Sequence, residues 1–126
     1  MKFELDATGG LTIRSYDHTH LTIGGQRYSG PIVITPDAVH TTLLPLRFTE
    51  LTSAHFAAIA ALGAEIIIVG SGIRQIFIHS QIATELATRG IGVESMDTAA
   101  ACRCYNVLAA EHRAVAAAIF PATHVL

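Results

Sequence analysis

The pattern of apolar and polar positions divides the chain into two halves. Up to Pro45, apolar residues come in short alternating runs separated by turn formers. Leu11 to Arg14 alternates, Tyr16-Asp17-His18 turns the chain, and His20 to Ile23 follows. Gly24-Gly25 is a hairpin signal, since a two-residue turn between twisted strands needs positive φ at its central positions. Gln26 to Tyr28 continues the return strand. Gly30-Pro31 introduces a strand at Ile32-Val33-Ile34, which Thr35-Pro36-Asp37 ends. Pro45 blocks a helix through Val39 to Leu44, so that segment reads as a short strand or an extended loop.

Beyond Leu51 the period changes. Phe56, Ile59, Ala60 and Gly63 share one helical face, with Thr52 or Ser53 as the cap, a helix through Leu62, and Gly63 as the stop. Glu65 to Val69 is a short apolar run that must be covered on both faces, hence a central strand. Gly70-Ser71-Gly72 reads as a loop. A second helix opens at His79 or Ser80, turns Ile82, Ala83 and Leu86 inward, and stops at Gly90. Glu85 and Arg89 stand in the favourable i, i+4 order for an ion pair. Ile91 to Glu94 is the next strand. Strand, helix, strand is a βαβ unit with parallel strands and a right-handed crossover. The loops after both strands then share the sheet edge at which open α/β sheets bind ligands. Asp97-Thr98 caps a third helix with an apolar stripe of Ala101, Cys104, Tyr105 and Leu108. Arg113 to Phe120 fits either helix or strand, and Pro121 ends it.

Composition narrows this picture. A chain of 126 residues suits one domain. Hydrophobic residues make up 51% and charged residues only 14%, below the ~25% charged of ordinary globular chains, which excludes disorder. A net charge of −2 argues against nucleic acid as a partner. The oily stretch from Leu51 to Gly72 carries only Glu65 as a charge, but it divides at Gly63-Ala64 into a helix and a strand rather than forming the ~20-residue run of a membrane span. The acidic start lacks the apolar core of a secretory signal. Cys102 and Cys104 would lie about 200° apart on a helix, too far round for a bridge or a shared metal. The chain therefore reads as reduced, cytoplasmic and free of a cofactor.

Candidate chemistry collects at the sheet edge. Gly70-Ser71-Gly72 partly matches a dinucleotide fingerprint, with Glu94 about 20 residues on, but Gln75 stands where Gly or Ala is required. The competing reading is a tight turn. Free N–H groups at the start of the third helix attract anions, although Asp97 or Thr98 can satisfy them. Cys104 with His112 or Glu111 as base fails on distance, since His112 is two helical turns away. His18 and His20 could share a strand face and hold a metal weakly, with no third ligand evident. Arg103, Glu111 and Arg113 could form an ion-paired network around Tyr105 and Asn106.

Met96-Asp97-Thr98-Ala99-Ala100-Ala101-Cys102-Arg103-Cys104-Tyr105-Asn106-Val107-Leu108 continues through Glu111, Arg113, Val115, Ala117 and Ala118. This run resembles the signature of the Mth938-like family, the domain of unknown function 498. Ile66 to Gly72 and Gly90 to Glu94 fit the same pattern at the right distances. Two positions depart from it: Cys104 stands where the family usually has threonine, and the family's frequent tryptophan is missing. The resemblance implies a three-layer α/β fold with a central mixed sheet of about five strands, flanking helices and an added β-hairpin. It makes Arg113 to Phe120 a strand antiparallel to its neighbours. It further implies a non-enzymatic assembly or adaptor protein with a protein partner, resembling a family branch that helps to assemble a respiratory complex and acting near the membrane without spanning it. The alternative function is a small-molecule or anion site, or an enzyme, at the edge formed by Gly70, Ser71, Gly72, Asp97 and Thr98, with Arg103 and Tyr105 nearby.

Overall fold

The computed structural model describes residues 10–17 and 19–122. Its first element is a small antiparallel sheet of β1 (Ile13–Tyr16), β2 (Leu21–Ile23) and β3 (Gln26–Tyr28). Gly24 and Gly25 take φ of 57° and 82°, the left-handed pair that a tight hairpin demands. A second sheet contains β4 (Ile32–Ile34), β5 (Val39–His40), β6 (Ile66–Ser71), β7 (Gly92–Met96) and β8 (Val115–Phe120), in the order β5-β4-β8-β6-β7. Helices α1 (Ser53–Ala60), α2 (Ser80–Ala87) and α3 (Thr98–Ala110) flank it. The expected mixed five-stranded sheet is therefore present, and the added hairpin is extended to three strands.

One expectation about the sheet needs correction. β8 is antiparallel to β4 but parallel to β6. The chain leaves β7, crosses back along α3 and enters β8 on the far side of β6. A helical crossover of this kind returns the strand parallel to the one it left. β6 pairs in parallel with β7 as well, so it lies between the two strands that α3 connects.

Strand alternation divides the interior into two cores. Ile67 and Val69 of β6, with Ala116, Ala118 and Phe120 of β8, face α1 and α2 through Phe56, Ile59, Ile82 and Leu86. Ile68, Val115, Ala117 and Ile119 face α3 and the small sheet through Ala101, Cys102, Tyr105, Ile13 and Leu21. All six residues of β8 are buried. Its alanines fit because their neighbours are large: Ala117 lies between Ile34 and Ile68, and Ala118 between Val33 and Val69. Where β8 has the bulky Ile119, β6 has Gly70. Burial of both faces outweighs the helix propensity of the alanine run.

Helix ends follow local chemistry. The Thr52 N–H donates to His55 Nδ1 at 2.9 Å at the start of α1, and Gly63 at φ 93° turns the chain after it. His79 caps α2 by accepting from the Gln81 N–H at 3.1 Å. The expected Glu85–Arg89 pair is not formed among the described residues. Glu85 instead accepts from the Ser53 hydroxyl at 2.9 Å, which ties α2 to α1.

Candidate functional site

Both βαβ units deliver their connections to the C-terminal edge of β6, β7 and β8. The chain leaves β6 toward α2 and β7 toward α3, on opposite faces of the sheet, and connections that diverge in this way open a crevice at the strand ends. In this protein Thr98 fills it. The buried Thr98 hydroxyl accepts from the Gly72 N–H at 2.9 Å and donates to the Phe120 carbonyl, while its own N–H donates to the Gly72 carbonyl at 2.8 Å. One side chain thus joins the ends of β6 and β8 to the first turn of α3.

The remaining residues of the edge are held as tightly. Gly70 belongs to β6 rather than to a loop, and a Cβ there would come within 3.0 Å of the Ala101 Cβ. Its bareness is what lets α3 lie close to the sheet. Ser71, also in β6, turns its hydroxyl away from α3. It donates to the Arg74 carbonyl at 2.6 Å, contacts the Met96 carbonyl at 3.2 Å and accepts from the Ile76 N–H at 2.9 Å. Asp97 caps α3 by accepting from the Ala100 N–H at 2.8 Å. These bonds use the donors that a phosphate would need. The dinucleotide reading also lacks its helix, because α2 begins only at Ser80.

Beside this network lies a cavity of about 340 Å³ lined by Tyr16, Asp17, Gly72, Ile73, Asp97, Thr98, Ala99 and Ala122. It brings Gly72, Asp97 and Thr98 together on one lining. Tyr16 and Asp17 arrive from the small sheet, an approach that no local pattern in the sequence announces. Asp17 accepts from the backbone N–H groups of Thr19 and His20 at 2.9 and 2.8 Å. Those two bonds hold its carboxyl below the usual range. Two carboxylates on the lining oppose an anion.

Arg103 and Tyr105 do not join the cavity. Arg103 is exposed and donates to the Tyr16 hydroxyl at 3.0 Å. Tyr105 is fully buried, donates to the Leu11 carbonyl at 2.8 Å, and has its hydroxyl pKa raised by burial. No ion pair links Arg103, Glu111 and Arg113 among the described residues. The role that sequence reasoning missed belongs to Asn106, whose side chain accepts from the Ile13 N–H and donates to the Ile13 carbonyl, each at 2.8 Å. This imitates a neighbouring strand and fastens β1 to α3.

The cysteines carry no evident chemistry. The stripe of α3 is centred on Ala101, Cys102, Tyr105 and Ala109, with Cys104 and Leu108 on its flank. Burial pushes the Cys102 thiol up to about 12. The Cys104 thiol is also raised, first by burial and then by the Glu94 charge, the reverse of what activates a nucleophile. His112 takes φ 62° just beyond the end of α3, and the Arg113 N–H reaches the Leu108 carbonyl at 3.0 Å. This is a helix-ending motif with histidine in the position that favours glycine. His18 lies outside the described residues. Among the described residues no three His, Cys, Asp or Glu side chains converge as metal ligands, and no helix is long and apolar enough to cross a membrane.

Comparison with known proteins gives a consistent family. The family described as "Protein of unknown function (DUF498/DUF598)" matches residues 13–120. A zebrafish protein named NADH dehydrogenase (ubiquinone) 1 alpha subcomplex assembly factor 3 is 30% identical over 123 residues, covering 92% of this chain and 67% of the relative. The rat protein of the same name is 34% identical over 111 residues, covering 86% of this chain and 60% of the relative. The chain thus spans three fifths to two thirds of these relatives. A solution structure from Bordetella pertussis, described as a Mth938-like domain, superposes with a TM-score of 0.78 at 27% identity, covering 91% of this chain and 88% of that one. On the family match, the relatives and the shared architecture, the chain belongs to the DUF498/DUF598 family and has the Mth938-like fold.

Proposed function

We propose that the protein is a non-enzymatic assembly factor, a single Mth938-like domain that binds other proteins during construction of the NADH dehydrogenase complex. The observation that carries this reading is the similarity to the named assembly factors across about nine tenths of the chain. The chemistry of the edge supports it. Thr98, Ser71 and Asp97 spend their polar atoms on the protein's own backbone, and the thiols are raised rather than activated. An adaptor needs shape and surface rather than free polar groups or an activated thiol. The protein would act in the cytoplasmic compartment, at the face of a membrane complex, and none of its described helices is long and apolar enough to cross the membrane.

The test is deletion of the gene in the source organism, followed by native-gel separation of solubilised membranes. Several-fold less assembled NADH dehydrogenase, restored by the wild-type gene, supports the reading. An undiminished complex contradicts it. The second reading, a small-molecule site, has one observation in its favour: the cavity bounded by Gly72, Asp97 and Thr98 is of ligand size. Ala99→Leu, which narrows that cavity, separates the two. It restores assembly as well as wild type under the adaptor reading and fails to do so under the ligand reading.

A further inference from the structure

The segment between β6 and α2 is shaped to project. Ile76 and Ile78 pack against the core, whereas Ile73 and Phe77 are 69% and 74% exposed, among the most exposed large apolar side chains of the described residues. The exposure is imposed by the backbone. The buried Ser71 hydroxyl clamps the segment at both the Arg74 carbonyl and the Ile76 N–H. Gln75 reaches sideways to donate to the Ser95 carbonyl on edge strand β7 at 2.8 Å. The loop is thus fixed from inside at three successive residues, and its two large apolar side chains are held in water.

Arg74 stands between them. It is exposed, and its guanidinium makes no ion pair among the described residues. Single exposed apolar side chains are common on protein surfaces, but here two fall within five residues of one braced loop, with an arginine between them in the sequence. Aromatic side chains and arginine are enriched at protein interfaces. Pre-ordering removes the entropy that a mobile loop would lose on binding.

We infer that Ile73, Arg74 and Phe77 form the partner-docking element of the protein, and that their occupant is a protein subunit presenting an apolar pocket with an acidic rim. The unpaired cation sets the sign of the rim, and the two apolar side chains set the character of the pocket. This rests on the proposed adaptor role and locates it on the surface.

The test measures binding of the full-length chain, by interferometry, to separately purified subunits of the source organism's NADH dehydrogenase and to vesicles containing phosphatidylglycerol. The variants are Phe77→Ser, Arg74→Glu and Arg74→Lys, with Val107→Ser as the control, since Val107 is 56% exposed on α3. All four are surface changes, and circular dichroism checks their fold. The inference predicts that at least one subunit binds wild type, that Phe77→Ser and Arg74→Glu weaken it at least tenfold, and that Arg74→Lys and Val107→Ser stay within threefold. A subunit that binds wild type and the loop variants equally overturns the inference while leaving the adaptor role intact. No binding to any subunit overturns both. A loop-dependent loss seen only with vesicles assigns the loop to the bilayer and also overturns the inference.

Discussion

Thr98 and Asp97 are neighbours, yet only one is transparent in the sequence. Asp97 is a helix cap on local grounds, and the structure gives it that bond. Thr98 works at long range, joining residues 26 and 22 positions away, and such partners become visible only once the strands are placed. Thr98→Val keeps the shape and removes the hydroxyl, leaving the Gly72 N–H and the Phe120 carbonyl unpaired inside the protein. We expect a loss of about 2–4 kcal/mol in urea denaturation, with Thr98→Ser recovering most of it. Asp17 is the residue whose charge is tied to the fold. Its pKa is lowered by the Thr19 and His20 N–H bonds. Its contribution is therefore fully present above the ordinary carboxylate value of about 4 and is lost as pH falls through the lowered folded value. NMR titration should give a midpoint below the ordinary range, and wild type should lose more stability than Asp17→Asn between neutral and strongly acid pH.

At the scale of elements, periodicity located the three helices and most strands. β8 was the hard case, since three consecutive alanines carry no period and favour helix. What makes it a strand is the bulk of Ile34, Ile68, Val33 and Val69 on either side, a fact about the sheet rather than the segment. Its direction followed from the α3 crossover, which a family resemblance alone left wrong. The small sheet shows a different limit. Its strands were legible, but its attachment through Asn106 was not, because an amide on a helix gives no sign of the strand it will meet. Asn106→Ala removes both bonds to Ile13 and should cost about 1–3 kcal/mol. Hydrogen exchange should accelerate in β1 and β2 well before it does in β6 and β8. Equal acceleration everywhere would mean that the small sheet is not held separately by α3.

For the whole molecule, the high apolar content is spent on two cores on either side of one sheet. The edge that topology marks for a ligand is closed by the protein's own hydroxyls, and the apolar groups left in water sit on a braced loop beside it. The candidate edge was therefore legible as a place, through strand order and glycines, but its use was not. Hydrogen-bond partners decide between holding a phosphate and shaping a loop, and they lie far apart in sequence. Assembly without chemistry is the central claim, and its most direct measurement is kinetic. Newly made NADH dehydrogenase subunits are pulse-labelled in a strain lacking this gene, and their passage into the full-size complex is followed on native gels. Subunits made at the normal rate but held in smaller subcomplexes, with incorporation slowed several-fold and restored by the wild-type gene, is the predicted result. Incorporation at an unchanged rate would contradict it.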